Sequence, residues 1–256
     1  MMQSYKRILI IFLGTILNTA VFAANLPFTP VFSLTVGDAM AQPGTTQTIT
    51  DTGPYTYNYI PNSSTDSQTR ILGGAFIGVA LPFAGVSPWS VQTGLAYYQI
   101  APFTASGDLQ QGYGPSSYDN YSYHYHISSQ QLVEETKLLG DGYGRYHPYF
   151  LVDVGAAFNN VNDYQAVTSQ TSADISPLYS GHHNTAFSYG AGLGLDVDVI
   201  NHLRAGFGYR LADLGTANSG TGSKTYGSYY VGAFPYNLKQ SHLYVQTIVA
   251  QLSYLL

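Results

Sequence analysis

Residues 187–215 read FSYGAGLGLDVDVINHLRAGFGYRLADLG. Phe187, Tyr189, Ala191, Leu193, Leu195, Val197 and Val199 fall on one face of an extended chain, and Ser188, Gly190, Gly192, Gly194, Asp196 and Asp198 fall on the other. After a short turn at Asn201 and His202, Leu203, Ala205, Phe207, Tyr209 and Leu211 alternate with Arg204, Gly206, Gly208 and Arg210. Strict period two in two runs joined so tightly predicts an antiparallel hairpin with one apolar and one polar face.

Working outward, the same reading predicts strands at 31–41, 68–81, 89–104, 121–138, 145–159, 184–199, 203–215 and 241–256. Long polar connections (42–67, 105–120, 160–183, 216–240) take turns with short ones (82–88, 139–144, 200–202). A soluble sandwich also alternates apolar and polar residues, but its links have no reason to keep this parity. Long loops at one end and tight turns at the other are the arrangement of a transmembrane barrel. The expected fold is therefore all-β: an eight-stranded antiparallel up-and-down transmembrane barrel with four long extracellular loops and short periplasmic turns. Its apolar face points to lipid and its Gly-bearing face to the lumen.

Composition agrees with this reading. Charged residues make up 9% of the 256 residues, while Gly (27) and Tyr (24) are abundant and the mean hydropathy is −0.02. Beyond the N-terminus the nearest approach to a membrane helix is Ile71 to Val86, and four glycines and Pro82 make it a poor helix. Lys6 and Arg7, the apolar run Ile8 to Leu17 and the small-residue zone Asn18 to Ala23 follow one another as in a secretory leader. Residues 1–23 are expected to be a signal peptide cut between Ala23 and Ala24, leaving 24–256 as one barrel domain. Its removal leaves seven basic against fourteen acidic side chains, a net charge of −7 that argues against nucleic acid as a partner. With no Cys, there is neither a disulfide framework nor a thiolate metal site.

Aromatics cluster toward both strand ends. Phe32, Phe83, Trp89, Tyr146 and Tyr254 fall near the short-turn end and Tyr97, Tyr121, Tyr123 and Phe158 near the loop end, the positions of two interfacial girdles. On the polar face Asp153, Asp196, Asp198, Arg204 and Arg210 predict a lumenal charge network, because eight strands enclose a space just wide enough for side chains. Buried charge is costly unless paired, so a self-neutralising plug is expected rather than a gated ion path.

The hairpin 187–215, the segment YFLVDVGAAF at 149–158 and the terminal LYVQTIVAQLSYLL at 243–256 resemble the OmpA and OmpX-like small outer-membrane barrels. The resemblance covers nearly all of residues 24–256. It implies a place in the bacterial outer membrane among its lipids and lipopolysaccharide, and assembly by the barrel-assembly machinery through the C-terminal strand. Such barrels usually end in Phe or Trp, whereas this chain ends in Leu256, with Tyr254 and Leu252 on the same face. With its last strand at 241–256, it is expected to lack the periplasmic peptidoglycan-binding domain of larger relatives. Members of the group serve variously as structural, adhesive, immune-evading or enzymatic proteins.

Three functions compete on these residues. A side-chain-plugged barrel displaying Tyr-, Ser-, Thr- and Gly-rich loops for adhesion, host or matrix interaction, or envelope integrity comes first, because loops this long carry binding more often than mere connection. A narrow ion or small-solute pore is second. The third is a lipid A-modifying hydrolase: His126-Ile127-Ser128 resembles the His-x-Ser pair of lipid A deacylases, whose third member is a Glu. Glu134 shares the face of His126 and Ser128 but lies six residues from Ser128, roughly 20 Å along an extended strand. Neither a catalytic residue nor a cofactor is therefore assigned. His124, His126, His182 and His183 read as ordinary loop-end histidines, since metal ligation needs convergent donors that nothing here fixes.

Overall fold

Period-two segments become strands because each can bury one face and pair both edges. The computed structural model describes residues 28–51, 56–62, 67–82, 88–112, 119–141, 143–168, 175–226 and 229–256. The expected leader and Phe83 lie outside these. The barrel strands are β1 (Thr29–Ala41), β4 (Gln68–Pro82), β5 (Trp89–Gly112), β6 (Asp119–Gly140), β7 (Tyr146–Thr168), β9 (His182–Ile200), β10 (Leu203–Asp213) and β15 (Tyr244–Leu255). Between them lie β2 (Gln47–Thr50), β3 (Thr56–Pro61), β8 (Ile175–Tyr179), β11 (Ala217–Asn218), β12 (Gly222–Tyr226), β13 (Tyr229–Phe234) and β14 (Lys239–Gln240).

Each barrel strand pairs antiparallel with the next, and β1 pairs with β15 to close the ring. Following paired residues from Ala39 through Thr247, Arg210, Gly192, Leu151, Lys137, Gln92 and Ala80 returns to β1 at Thr29, a stagger of ten residues. Ten residues of stagger over eight strands tilt the strands about 40° and set an axial rise of about 2.5 Å per residue. The β9–β10 turn is two residues long, with His202 at φ 69° and its Nδ1 2.8 Å from the Leu255 carbonyl.

Faces follow the alternation. Phe187, Leu193, Leu195, Phe207 and Leu211 point outward, together with Leu34, Ile77, Phe150, Val152, Ile248 and Leu252, forming an exposed apolar belt. Ser188, Asp196 and Arg210 point inward and are buried.

The structure corrects the strand ends. β5 and β7 run well past the expected limits of 104 and 159, while β6 keeps within two residues of the expected 121–138, so that side of the wall rises about 60 Å while β1 rises about 30 Å. The segments expected as polar loops instead contain seven further strands. β3 pairs with the upper end of β5, and β8, β12 and β13 form a three-stranded sheet. Aromatic residues account for the difference. Tyr57, Tyr59, Tyr123, Tyr125, Tyr164, Tyr179 and Phe234 are buried together above the belt, and burying these rings stabilises strand pairing that polar loops would not hold.

Candidate functional site

The lumen is built from the inward residues of all eight barrel strands, and its polar groups meet in tiers. At the short-turn mouth His147 on β7 lies between Asp141 (Nδ1, 2.7 Å) and Asp198 (Nε2, 2.8 Å). Arg204 Nε donates to Asp198 at 2.9 Å. One tier up, Lys137, only 2% exposed, donates to Gln251, lies 4.0 Å from Asp196 and stands 4.4 Å over the Tyr149 ring. Next, Arg210 donates from Nε and Nη2 to both oxygens of Asp153, each at 2.7 Å, and stacks 5.0 Å over Tyr98. Tyr98 donates to Glu135, and Gln131 links Arg210 to Ser188. Above these, Ser129 donates to Asn159 at 2.6 Å, and Asn159 donates to the carbonyls of Leu214 and Thr216.

Glycines make room for this filling. A Cβ on Gly206 would lie 2.2 Å from Asp196 Oδ1, and one on Gly208 would lie 2.1 Å from the Tyr149 hydroxyl. The cavity beside Glu135, Lys137, Tyr149 and Arg210 measures only about 20 Å³, room for one water.

Of the five charges singled out from sequence, Arg210 with Asp153 and Arg204 with Asp198 come together. Asp196 does not meet Arg204; it faces Lys137. Sequence reasoning missed Lys137, Glu135 and His147. On β6 the inward Gln131, Glu135 and Lys137 are interleaved with the outward Glu134 and Thr136, so polar residues on both faces erase the alternation.

The girdle needs a similar correction. Trp89, Tyr97, Tyr146 and Tyr254 are exposed on the outward face, whereas Tyr121 and Tyr123 are each 3% exposed and belong to the upper aromatic core. The wall continues past the belt at β6, which places these two rings beyond any girdle. Phe187, Tyr189 and Tyr244 stand at the outer rim instead.

The upper core is closely joined. Tyr57 meets Phe234 edge-on at 4.9 Å, Tyr164 meets Tyr179 at 4.9 Å, and Tyr59 meets Tyr123 at 5.4 Å. The hydroxyls of Tyr59 and Tyr179 lie 2.9 Å apart, and burial pushes the Tyr59 and Tyr164 hydroxyls well above the usual tyrosine range. A sequence signal was present in the alternating Tyr57 and Tyr59, and again in Tyr121, Tyr123 and Tyr125.

His126, Ser128 and Glu134 do share the outward face of β6. The His126 Nδ1 lies 3.1 Å from Thr104 Oγ1, and its cross-strand neighbour on β7 is Asn162, so among the described residues no carboxylate orients the ring. The His124 and His126 rings lie 6.3 Å apart, and no three potential metal ligands converge among the described residues. His182 and His183 are exposed at the start of β9.

No protein-family model and no curated protein sequence matches the chain. Among solved structures, the outer membrane protein OprG of Pseudomonas aeruginosa matches over 88% of this chain and 95% of its own, with a TM-score of 0.50 at 13% identity. With the exposed apolar belt, this likeness decides the fold. The chain is an eight-stranded β-barrel with the fold of outer-membrane barrels. Ail, the attachment invasion locus protein of Yersinia pestis, matches over 90% of this chain and 98% of its own (TM-score 0.36, 9% identity). The outer membrane protease OmpT of Escherichia coli matches over 90% and 96% (TM-score 0.43, 7% identity). These likenesses concern the fold.

Proposed function

We propose that this barrel is a non-enzymatic surface protein whose extracellular extension is a preformed platform for adhesion to a host or matrix ligand. The observation that carries this reading is the buried aromatic core above the rim, which packs segments from four connections together. A surface ordered in advance loses less entropy on binding than free loops do. Leu178 on β8 and Tyr230 and Val231 on β13 remain exposed on this platform, and Tyr is a favoured interface anchor. Filling of the lumen to a single-water cavity favours a plug over a pore. The contacts of His126 give a hydrolase no oriented base.

The test compares intact protein with a variant in which residues 219–238, carrying β12 and β13, are replaced by a short Gly-Ser linker. Binding of refolded protein to host cells or immobilised matrix is expected to fall to background in the variant while the barrel still folds. Equal binding by both proteins would sink the platform reading.

A further inference from the structure

On the low side of the wall, where β1 and β15 stop, an outward groove of about 620 Å³ opens between the end of β1 and the β14–β15 connection. Its lining includes Met40, Gln42, Lys239, His242, Tyr244 and Gln246. Counting about 2.5 Å per residue from Thr29 and Leu255 puts the lining on β1 and β15 between about 22 and 32 Å above the short-turn end. An apolar belt about 25 Å tall ends within that interval, so the groove straddles the boundary between lipid tails and headgroups.

The polar wall is built for an acceptor. Asp213, whose side chain is 2% exposed, lies 2.7 Å from His242 Nδ1 and also accepts from the Gly215 backbone N–H at 2.8 Å. A carboxylate held on Nδ1 fixes the orientation and tautomer of the imidazole, leaving Nε2–H as a donor on a side chain that is 58% exposed. Tyr244 stacks on the His242 ring at 5.6 Å and 9°, holding the ring from one side. Lys239 is exposed, and its Nζ forms no ion pair among the described residues. Its backbone is held by Gln47 and Thr45, which fixes where the side chain starts. One opposing charge lies nearby: Asp38 is exposed on the outward face of β1, two positions below Met40. Below the groove the same outward face carries Leu211, Ile248 and Leu252.

A lysine ammonium, an oriented imidazole N–H, amide and aromatic side groups, and an apolar wall leading down into the belt match one class of ligand. We infer that this groove seats the phosphate-bearing headgroup of an outer-leaflet glycolipid. Lys239 and His242 hold the phosphate, Gln42 and Gln246 face the sugar hydroxyls, and the acyl chains run down the outward face of β15. Such a ligand anchors the low side of the wall independently of whatever the platform binds.

Native mass spectrometry of the refolded full chain, released from octyl glucoside micelles doped with bisphosphorylated lipid A, tests this. Wild type is expected to retain one lipid A. The double variant Lys239→Gln, His242→Gln should retain it about tenfold less or weaker still, the loss expected from removing charge-assisted hydrogen bonds. Lys224→Gln, whose lysine pairs with Asp51 outside the groove, should retain it like wild type. Fully dephosphorylated lipid A should be retained as poorly by wild type as lipid A is by the double variant, and millimolar inorganic phosphate should not displace the lipid. A heat-modifiable gel shift identical to wild type shows that the variants are folded. Equal retention of lipid A by wild type and the double variant overturns the inference, as does undiminished retention of the dephosphorylated lipid. Displacement by inorganic phosphate overturns the lipid assignment, because the groove would then be a site for free anions.

Discussion

Arg210 on β10 and Asp153 on β7 meet across the lumen with two parallel hydrogen bonds of 2.7 Å, although β9 separates their strands in the wall. Both are almost wholly buried. Replacing Arg210 with Met is expected to destabilise the barrel by about 3–5 kcal/mol, because Asp153 is left charged without its partner. The double replacement Arg210→Met, Asp153→Leu should recover most of that loss. Urea titrations of refolded protein give the comparison, and a double variant as unstable as the single one would remove the pairing argument.

A Cβ added at Gly208 would press into the Tyr149 hydroxyl, which would have to move inside the packed lumen. Gly208→Ala should cost about 1–3 kcal/mol through overpacking. Adding Tyr149→Phe removes the oxygen that clashes, and the pair should be more stable than Gly208→Ala alone. If the second change brings no recovery in the same titration, the clash lies elsewhere.

Leu193 is 62% exposed on the outward face, about 17 Å above the β9–β10 turn and close to mid-membrane. Leu193→Arg is expected to cost about 2–4 kcal/mol on folding into bilayers. A neutral result in vesicle refolding would contradict the assignment of faces.

The filled lumen predicts electrical silence. Wild-type protein in planar bilayers should pass no steady current, since the space beside Glu135 and Lys137 holds about one water. Arg204→Ala with Arg210→Ala strips the cations from Asp198 and Asp153, and the resulting lumen should leak in favour of cations. Large steady wild-type currents would move the pore reading to first place.

Alkali should reach the platform before the barrel. Burial raises Tyr59 and Tyr164 above the ordinary tyrosine value of 10.0, so ionisation is easier in the unfolded state than in the folded one. The sign follows directly: their contribution is full below pH 10 and is lost as pH rises from 10 toward the folded values. Absorbance at 295 nm should show exposed tyrosines titrating first and a later step accompanied by protease sensitivity above the rim. A single tyrosine step near pH 10 with the platform still protease-resistant would count against the buried core.

Period two in residues 187–215, and the parity of long and short connections, carried the strand count, the faces and the closed barrel. Those properties are local, since a strand with one apolar and one polar face has few ways to satisfy both lipid and its own backbone. Residues such as Asp153, Asp198, Arg204 and Arg210 were legible as lumenal for the same reason. Their partners were not, because a ten-residue stagger decides which tier each strand contributes to, and stagger belongs to the closed ring rather than to any segment. This is why Asp196 faces Lys137 instead of Arg204. Only the tertiary structure gathered Tyr57, Tyr123, Tyr164, Tyr179 and Phe234 into one core, since their burial depends on long-range packing between connections that look polar one at a time. It likewise brought Asp213 to His242, which lie 29 residues apart in the chain and meet only because β10 and β15 are neighbours in the wall.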